Sequence, residues 1–123
     1  MLFGWKAKGK HKWYTGRAET TIWNFDKPKK NENHPTTKPI PLLAYPIKNS
    51  TSPNAIVLDN FCGSGSTLIC CEQLGRICYA VELDEKFVDV IVKRYIDAVG
   101  SADGVFVERD GEKLEYSEVC ADE

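Results

Sequence analysis

At 123 residues the chain is long enough for one domain with a real core and too short for two. Its apolar and charged fractions, 42% and 28%, exclude a disordered or fibrous protein, and no apolar run approaches the length of a membrane span. The net charge of −2 hides an asymmetry: residues 1–48 carry ten Lys/Arg against three Asp/Glu, and residues 49–123 carry six against fifteen. All three tryptophans, Trp5, Trp13 and Trp23, lie in the basic part. Two readings fit, a phosphate-backbone contact with base stacking or a solvated lysine-rich face, and composition does not choose between them.

The opening Met1–Lys6 has no apolar core of the signal-peptide kind, so the expected compartment is the cytoplasm. The five cysteines, Cys62, Cys70, Cys71, Cys78 and Cys120, agree with that. Their number is odd, Cys70 and Cys71 are adjacent, and no Cys/His spacing matches a zinc site, so reduced thiols acting as small apolar residues and no metal are expected.

In chain order, Lys6–Arg17 is polar and Gly/Lys-rich and reads as loop. Thr20–Phe25 is β-branched and aromatic, which predicts a short strand. Asp26–Pro41 is Pro-punctuated loop, and Pro41 can open a helix over Leu42–Tyr45 that Pro46 must kink or end. After the turn cluster Ser50–Asn54, the run Ala55–Asp59 predicts a buried strand. A Gly/Ser loop, Phe61–Thr67, leads into a helix over Thr67–Leu74 stopped by Gly75. Ile77–Glu82 is a second apolar strand. Glu85–Val99 then carries Phe87, Val88, Ile91, Val92, Tyr95, Ile96 and Val99 at helical spacing and closes at Gly100. Val105–Glu108 and Leu114–Tyr116 flank Arg109-Asp110-Gly111 as a hairpin. The fold class is α/β, half of a doubly wound sheet with flanking helices, plus the carboxy-terminal hairpin.

Strand, Gly-rich loop, helix, strand and acid occur in that order. Gly63 and Gly65 let the backbone approach a ligand, and Glu82 ends the second strand, where a carboxylate can accept bonds from both hydroxyls of a ribose. The order favours that reading over a tight turn beside a solvated acid. No lysine follows Gly65 as a nucleotide P-loop requires, and Leu68 occupies the place of the third dinucleotide glycine. A cofactor without phosphate, carrying a sulfonium and an amino-acid end, avoids both difficulties. S-adenosylmethionine fits best, although the loop alone does not settle the choice.

Three segments carry a resemblance to a family. His34-Pro35-Thr36-Thr37-Lys38-Pro39 resembles the motif that begins the cofactor half of the β-class, phage-type DNA amino-methyltransferases. Asp59-Asn60-Phe61-Cys62-Gly63-Ser64-Gly65-Ser66-Thr67 is similar to their cofactor loop, and Val81-Glu82-Leu83-Asp84 to their ribose-acid strand end. The resemblance spans roughly residues 20–98 and implies a partial Rossmann-like sheet binding S-adenosylmethionine, with DNA as partner. It also implies roles. Phe61, Gly63 and Gly65 would wall the methionine part with backbone N–H groups facing it, and Asp59, Ser64, Ser66 and Thr67 would lie at the same loop. Thr37 and Lys38 would sit by the amino-acid end, Glu82 would take the ribose hydroxyls, and Leu83 would flank the adenine. His34 would order its loop. The target would be an exocyclic amine of adenine or cytosine, which attacks the sulfonium methyl directly. Residues 1–33 would form a basic, Trp-containing segment at the end of a target-recognition region, and residues 34–123 the cofactor-binding domain.

The family also carries an Asp/Asn/Ser-Pro-Pro-aromatic motif that holds the target amine. The six prolines stand at 28, 35, 39, 41, 46 and 53, none adjacent, so this chain has no such motif and no catalytic residue is assigned. Several strands of the expected sheet go with it, leaving an exposed edge for a second chain or for self-association. Three readings follow: a fragment that binds cofactor but does not methylate alone, one half of a split enzyme, or a non-catalytic nucleic-acid- or protein-binding module on the same fold.

Overall fold

The computed structural model describes residues 4–16, 18–20, 22–26 and 38–119. His34, Thr37 and Cys120 lie outside the described residues. Among the described residues no helix is long and apolar enough to cross a membrane.

The centre is a strand–helix–strand unit. β1 (Ile56–Asp59) and β2 (Ile77–Ala80) pair in parallel, Ile56 opposite Ile77 and Leu58 opposite Tyr79. The crossover between them is α2 (Ser66–Leu74), ended by Gly75 at φ 64, whose left-handed backbone suits glycine. α1 (Ile40–Ser50) and α3 (Glu85–Val99) both pack on α2. Asp84 caps α3 by accepting a bond from the Lys86 N–H at 3.0 Å, and Gly100 closes it, where the periodicity places both ends. The hairpin forms from β3 (Phe106–Arg109) and β4 (Glu112–Glu115), and a short helix α4 (Tyr116–Val119) follows. Asp110 and Gly111, at φ 54 and 82, make the two-residue turn that Asp-Gly favours.

The core is small and centred on α2. Cys70 and Cys71 are fully buried, with Ile69, Ile91 and Cys62 around them. Cys71 meets Cys78 of β2, so the thiols fill the space between helix and sheet as apolar groups do.

Three expectations need correction. Residues 20 and 22–26 form no strand. Among the described residues no strand pairs with it, and the segment instead satisfies polar groups locally, the Thr20 hydroxyl bonding to Ile22 O and the Trp23 indole to Thr20 O. It lies beside α1, with the Trp23 ring 4.5 Å from that of Tyr45 and the Tyr45 hydroxyl bonded to Glu19. Secondly, α1 runs through Pro46 to Ser50. Proline forfeits a bond to the Leu42 carbonyl, but packing on α2 and the Thr51 N–H and hydroxyl, both bonded to Ile47 O, hold the last turn.

Thirdly, β1 is not buried on both faces; among the described residues it pairs with β2 alone, in a two-stranded parallel sheet. Side chains alternate across a strand, and α2 covers only one side. On the other, Ile56, Leu58, Ile77 and Tyr79 align in register and, with Val81, are from 47% to 64% exposed.

Candidate functional site

The carboxyl ends of β1 and β2 lie side by side, and the loop from Asn60 to Gly65 crosses above them into α2. Short bonds shape that loop. The Phe61 N–H donates to Asp59 Oδ1 at 3.1 Å, the Cys62 N–H to Val81 O at 3.0 Å, and the Gly65 N–H to Cys62 O at 3.0 Å. Arg94, on α3, donates to the Ser64 carbonyl, and desolvation by burial lowers its pKa.

The two glycines of the loop serve different needs. Gly65, at φ 80, would place a Cβ 3.0 Å from Ile91 Cγ2, so its bareness is required by the protein's own packing against α3. Gly63, at φ 57, faces open space. Its N–H is taken up all the same, donating to Glu82 Oε2 at 2.7 Å. The backbone N–H groups of Phe61, Gly63 and Gly65 therefore hold the loop itself together, in contrast to the expectation that they face a ligand.

Glu82 is the second organising residue. Its Oε1 accepts from the N–H groups of Leu83 at 3.0 Å and Asp84 at 3.1 Å, while Oε2 accepts from Gly63. One carboxylate thus ties the end of β2 to the loop after β1 and is oriented before any ligand arrives. On either side stand two almost bare side chains, Phe61 at 91% and Leu83 at 98% exposure.

Beside the loop is a recess of about 80 Å³ lined by Lys38, Leu43, Asp59, Phe61, Cys62, Gly63, Ser64, Ser66 and Thr67. The Ser66 hydroxyl is buried there without a hydrogen-bond partner. A buried polar atom left unpaired is costly, so the recess suits a ligand with polar groups. The structure thus brings Lys38, Asp59, Phe61, Gly63, Ser64, Ser66 and Thr67 to one recess, while Gly65 does not line it, and Glu82, with Leu83 beside it, is tied to the recess through the Gly63 N–H. Leu43 and Cys62 also line the recess and Arg94 braces its loop at the Ser64 carbonyl, and sequence reasoning missed all three. Arg94 lies one turn beyond Ile91 on α3, and that spacing was the available signal.

Burial pushes the Cys62 thiol up to about 11 and the Cys78 thiol up to about 12, mainly by penalising the thiolate, with Asp59 adding to both. Neither is a nucleophile at neutral pH. The described residues contain no His/Cys/Asp/Glu group able to hold a metal. A larger cavity of about 570 Å³, lined among others by Leu68, Ile77, Val92, Tyr95 and Phe106, lies between α2, α3, β2 and β3 and includes no residue of the Asn60–Gly65 loop.

Residues 5–93, well over half the chain, match the N6/N4 DNA methylase family. The chain belongs to that family. Among curated DNA methylases, it is 34% identical over 93 residues to the type II methyltransferase M.Cfr9I of Citrobacter freundii, covering 75% of this chain and 31% of that protein. It is 43% identical over 61 residues to M.HinfI of Haemophilus influenzae, covering 50% of this chain and 17% of that one. Among solved structures, the M1.HpyAVI–SAM complex matches with TM-score 0.60 and 31% identity, over 71% of this chain and 45% of that chain. The fold is thus a partial Rossmann-like methyltransferase sheet. The chain spans between 17% and 31% of the curated DNA methylases it matches.

Proposed function

We propose that this chain is the cofactor-binding portion of an S-adenosylmethionine-dependent DNA amino-methyltransferase, acting on adenine or cytosine and methylating only beside a segment that carries the Pro-Pro motif. The observation that carries the reading is the Glu82–Gly63 bond, which sets a ribose-binding acid between the carboxyl ends of two parallel strands. The orphaned Ser66 hydroxyl supports it, since the recess offers polar partners to a ligand's amino-acid end. M1.HpyAVI, similar in fold and sequence, was solved with SAM.

In this reading Glu82 accepts the ribose hydroxyls, held in place by three backbone N–H groups. Phe61 and Leu83 shield the nucleoside from water, each losing most of its own exposure. Lys38 pairs with the amino-acid carboxylate, Ser66 gains its missing bond, and Asp59, Ser64 and Thr67 complete the recess; Thr37, next to Lys38, joins the same end. The bound cofactor supplies a sulfonium methyl for displacement by an exocyclic amine. The protein's part is alignment and exclusion of water, worth far more in such a reaction than proton transfer. Residues 34–123 form this unit, and residues 1–33 end a target-recognition region.

The bare sheet face fits the fragment and the split-enzyme forms of this reading alike, because four apolar residues in register, with Val81 beside them, need a cover. The cover is a segment bearing the catalytic motif, on the same polypeptide or a second one, with self-association through the same face or the open edge of β1 as the competing outcome.

The test is a calorimetric titration with S-adenosylmethionine of the chain and of Ser66→Ala and Glu82→Ala variants. Micromolar binding is expected, weakened about 2–10-fold in Ser66→Ala by the loss of one hydrogen bond and abolished in Glu82→Ala. Ser66→Ala removes an unpaired hydroxyl and leaves the fold intact, so equal affinity in that variant and the parent, or no binding by the folded parent, rejects the site.

A further inference from the structure

Ahead of the methyltransferase core runs an arm with its own architecture. A tight turn, closed by the Gly9 N–H bonding to Lys6 O at 2.7 Å, reverses the chain. The reversal stacks Trp5 on His11 with ring centroids 4.4 Å apart, and His11 meets Trp13 edge-on at 5.5 Å. Lys6, Lys8, Lys10 and Lys12 are all exposed around this ladder, and residues 4–14 contain no acid. The arm is fixed at its root. Tyr14 N–H donates to Asn49 O at 2.9 Å, and the Thr15 hydroxyl bonds to the buried Asn49 side chain at the last turn of α1.

Four cations without an acid, on a chain whose net charge is −2, select a polyanion. Trp5 and Trp13, each about half exposed, meet His11 from either side and alternate with the lysines along the arm, a pattern that favours a nucleic acid over a membrane surface. Position then says what kind of contact. Asn49 and Lys38 lie at opposite ends of α1, an 11-residue helix and therefore roughly 16 Å long. The root of the arm is thus a helix length away from the recess, at the end of α1 that faces away from Lys38.

We propose that residues 4–14 form a clamp on the phosphate backbone of duplex DNA, holding it in place without reading its bases. The choice of DNA rests on the methyltransferase reading above; the clamp itself rests on the arm. Lysines serve as point charges on phosphates, while the tryptophans hold them on one ordered loop.

The experiment is fluorescence anisotropy of labelled DNA duplexes of unrelated sequence with the full chain, across a salt series. A variant with all four lysines changed to glutamine is run in parallel, and circular dichroism and the S-adenosylmethionine titration check its fold. The expected result is similar affinity for every sequence, falling roughly 100-fold between 50 and 200 mM salt if four phosphates are contacted. The glutamine variant should lose at least 10-fold at low salt and most of the salt slope while binding cofactor as the parent does. Undiminished DNA binding by the variant, strong preference for one duplex sequence that the lysines do not alter, or arm-dependent binding to anionic vesicles but not to DNA would each overturn the clamp. Loss of cofactor binding in the parent, with the clamp intact, would reject the methyltransferase reading alone.

Discussion

The two faces of the β1–β2 sheet differ sharply. On one, α2 lies against the strands, and the residues between them include the two most deeply buried side chains, Cys70 and Cys71. On the other, Ile56, Leu58, Ile77 and Tyr79 stand in register and exposed. Both faces are apolar in sequence. The difference teaches that one face was shaped for the chain's own folding and the other for something the described residues do not supply. Buried apolar surface stabilises by about 25 cal/mol per Å², and that gain is taken on the first face and still open on the second.

Substitutions should separate the faces. The largest effect belongs to Gly65→Val, which places a β-branched residue at φ 80 and drives its Cβ into Ile91; a loss of about 4 kcal/mol is expected, read as a collapse of thermal unfolding by circular dichroism. If the variant melts with the parent, the loop is not locked by α3. Next, Ile69→Ala, inside the covered face, should cost about 2–4 kcal/mol in urea unfolding. A cost below 1 kcal/mol would show that α2 is loosely seated.

The covered face should also respond to alkali. Because the folded Cys62 thiol is raised to about 11 from 9.0, the unfolded chain releases its proton first. Stability is then intact below pH 9 and declines between 9 and 11, by about 1 kcal/mol for this thiol at pH 10. Urea midpoints at pH 8 and pH 10 measure this, and Cys62→Ala should lessen the decline, leaving the part that Cys78 contributes. The smallest change in stability belongs to the bare face. Leu58→Gln with Tyr79→Gln should shift unfolding by no more than about 0.5 kcal/mol. The same pair should abolish sedimentation with a chain carrying the Pro-Pro motif. A destabilised monomer would mean that this face is already covered in solution.

Much of this was legible from residues alone. The α3 boundaries follow from seven apolar positions at helical spacing between Asp84 and Gly100, and the strand–loop–helix order follows from Val57, Gly63 and Gly75. The recess was legible as a loop, with Lys38, Asp59, Ser66 and Thr67 all among its lining residues. What failed depended on partners distant in sequence. Thr20–Phe25 has the composition of a strand, but composition cannot say whether an edge exists to pair with it. Pro46 carries a local penalty that packing on α2 overrides. The exposure of Ile56 and Leu58 depends on what stands opposite, which no pattern within β1 records.

The parallel pairing also has a kinetic consequence. Ile56 meets Ile77 only twenty-one positions along the chain, and the nine residues of α2 lie within that gap. Closing so short a loop costs little entropy, and contacts this near in sequence are those on which fast folders depend. The unit can therefore assemble as soon as its residues leave the ribosome, ahead of any partner. Until that face is covered, Ile56, Leu58, Ile77 and Tyr79 offer an adhesive surface, so how long it stays bare, rather than the stability of the unit, sets how much chain escapes aggregation.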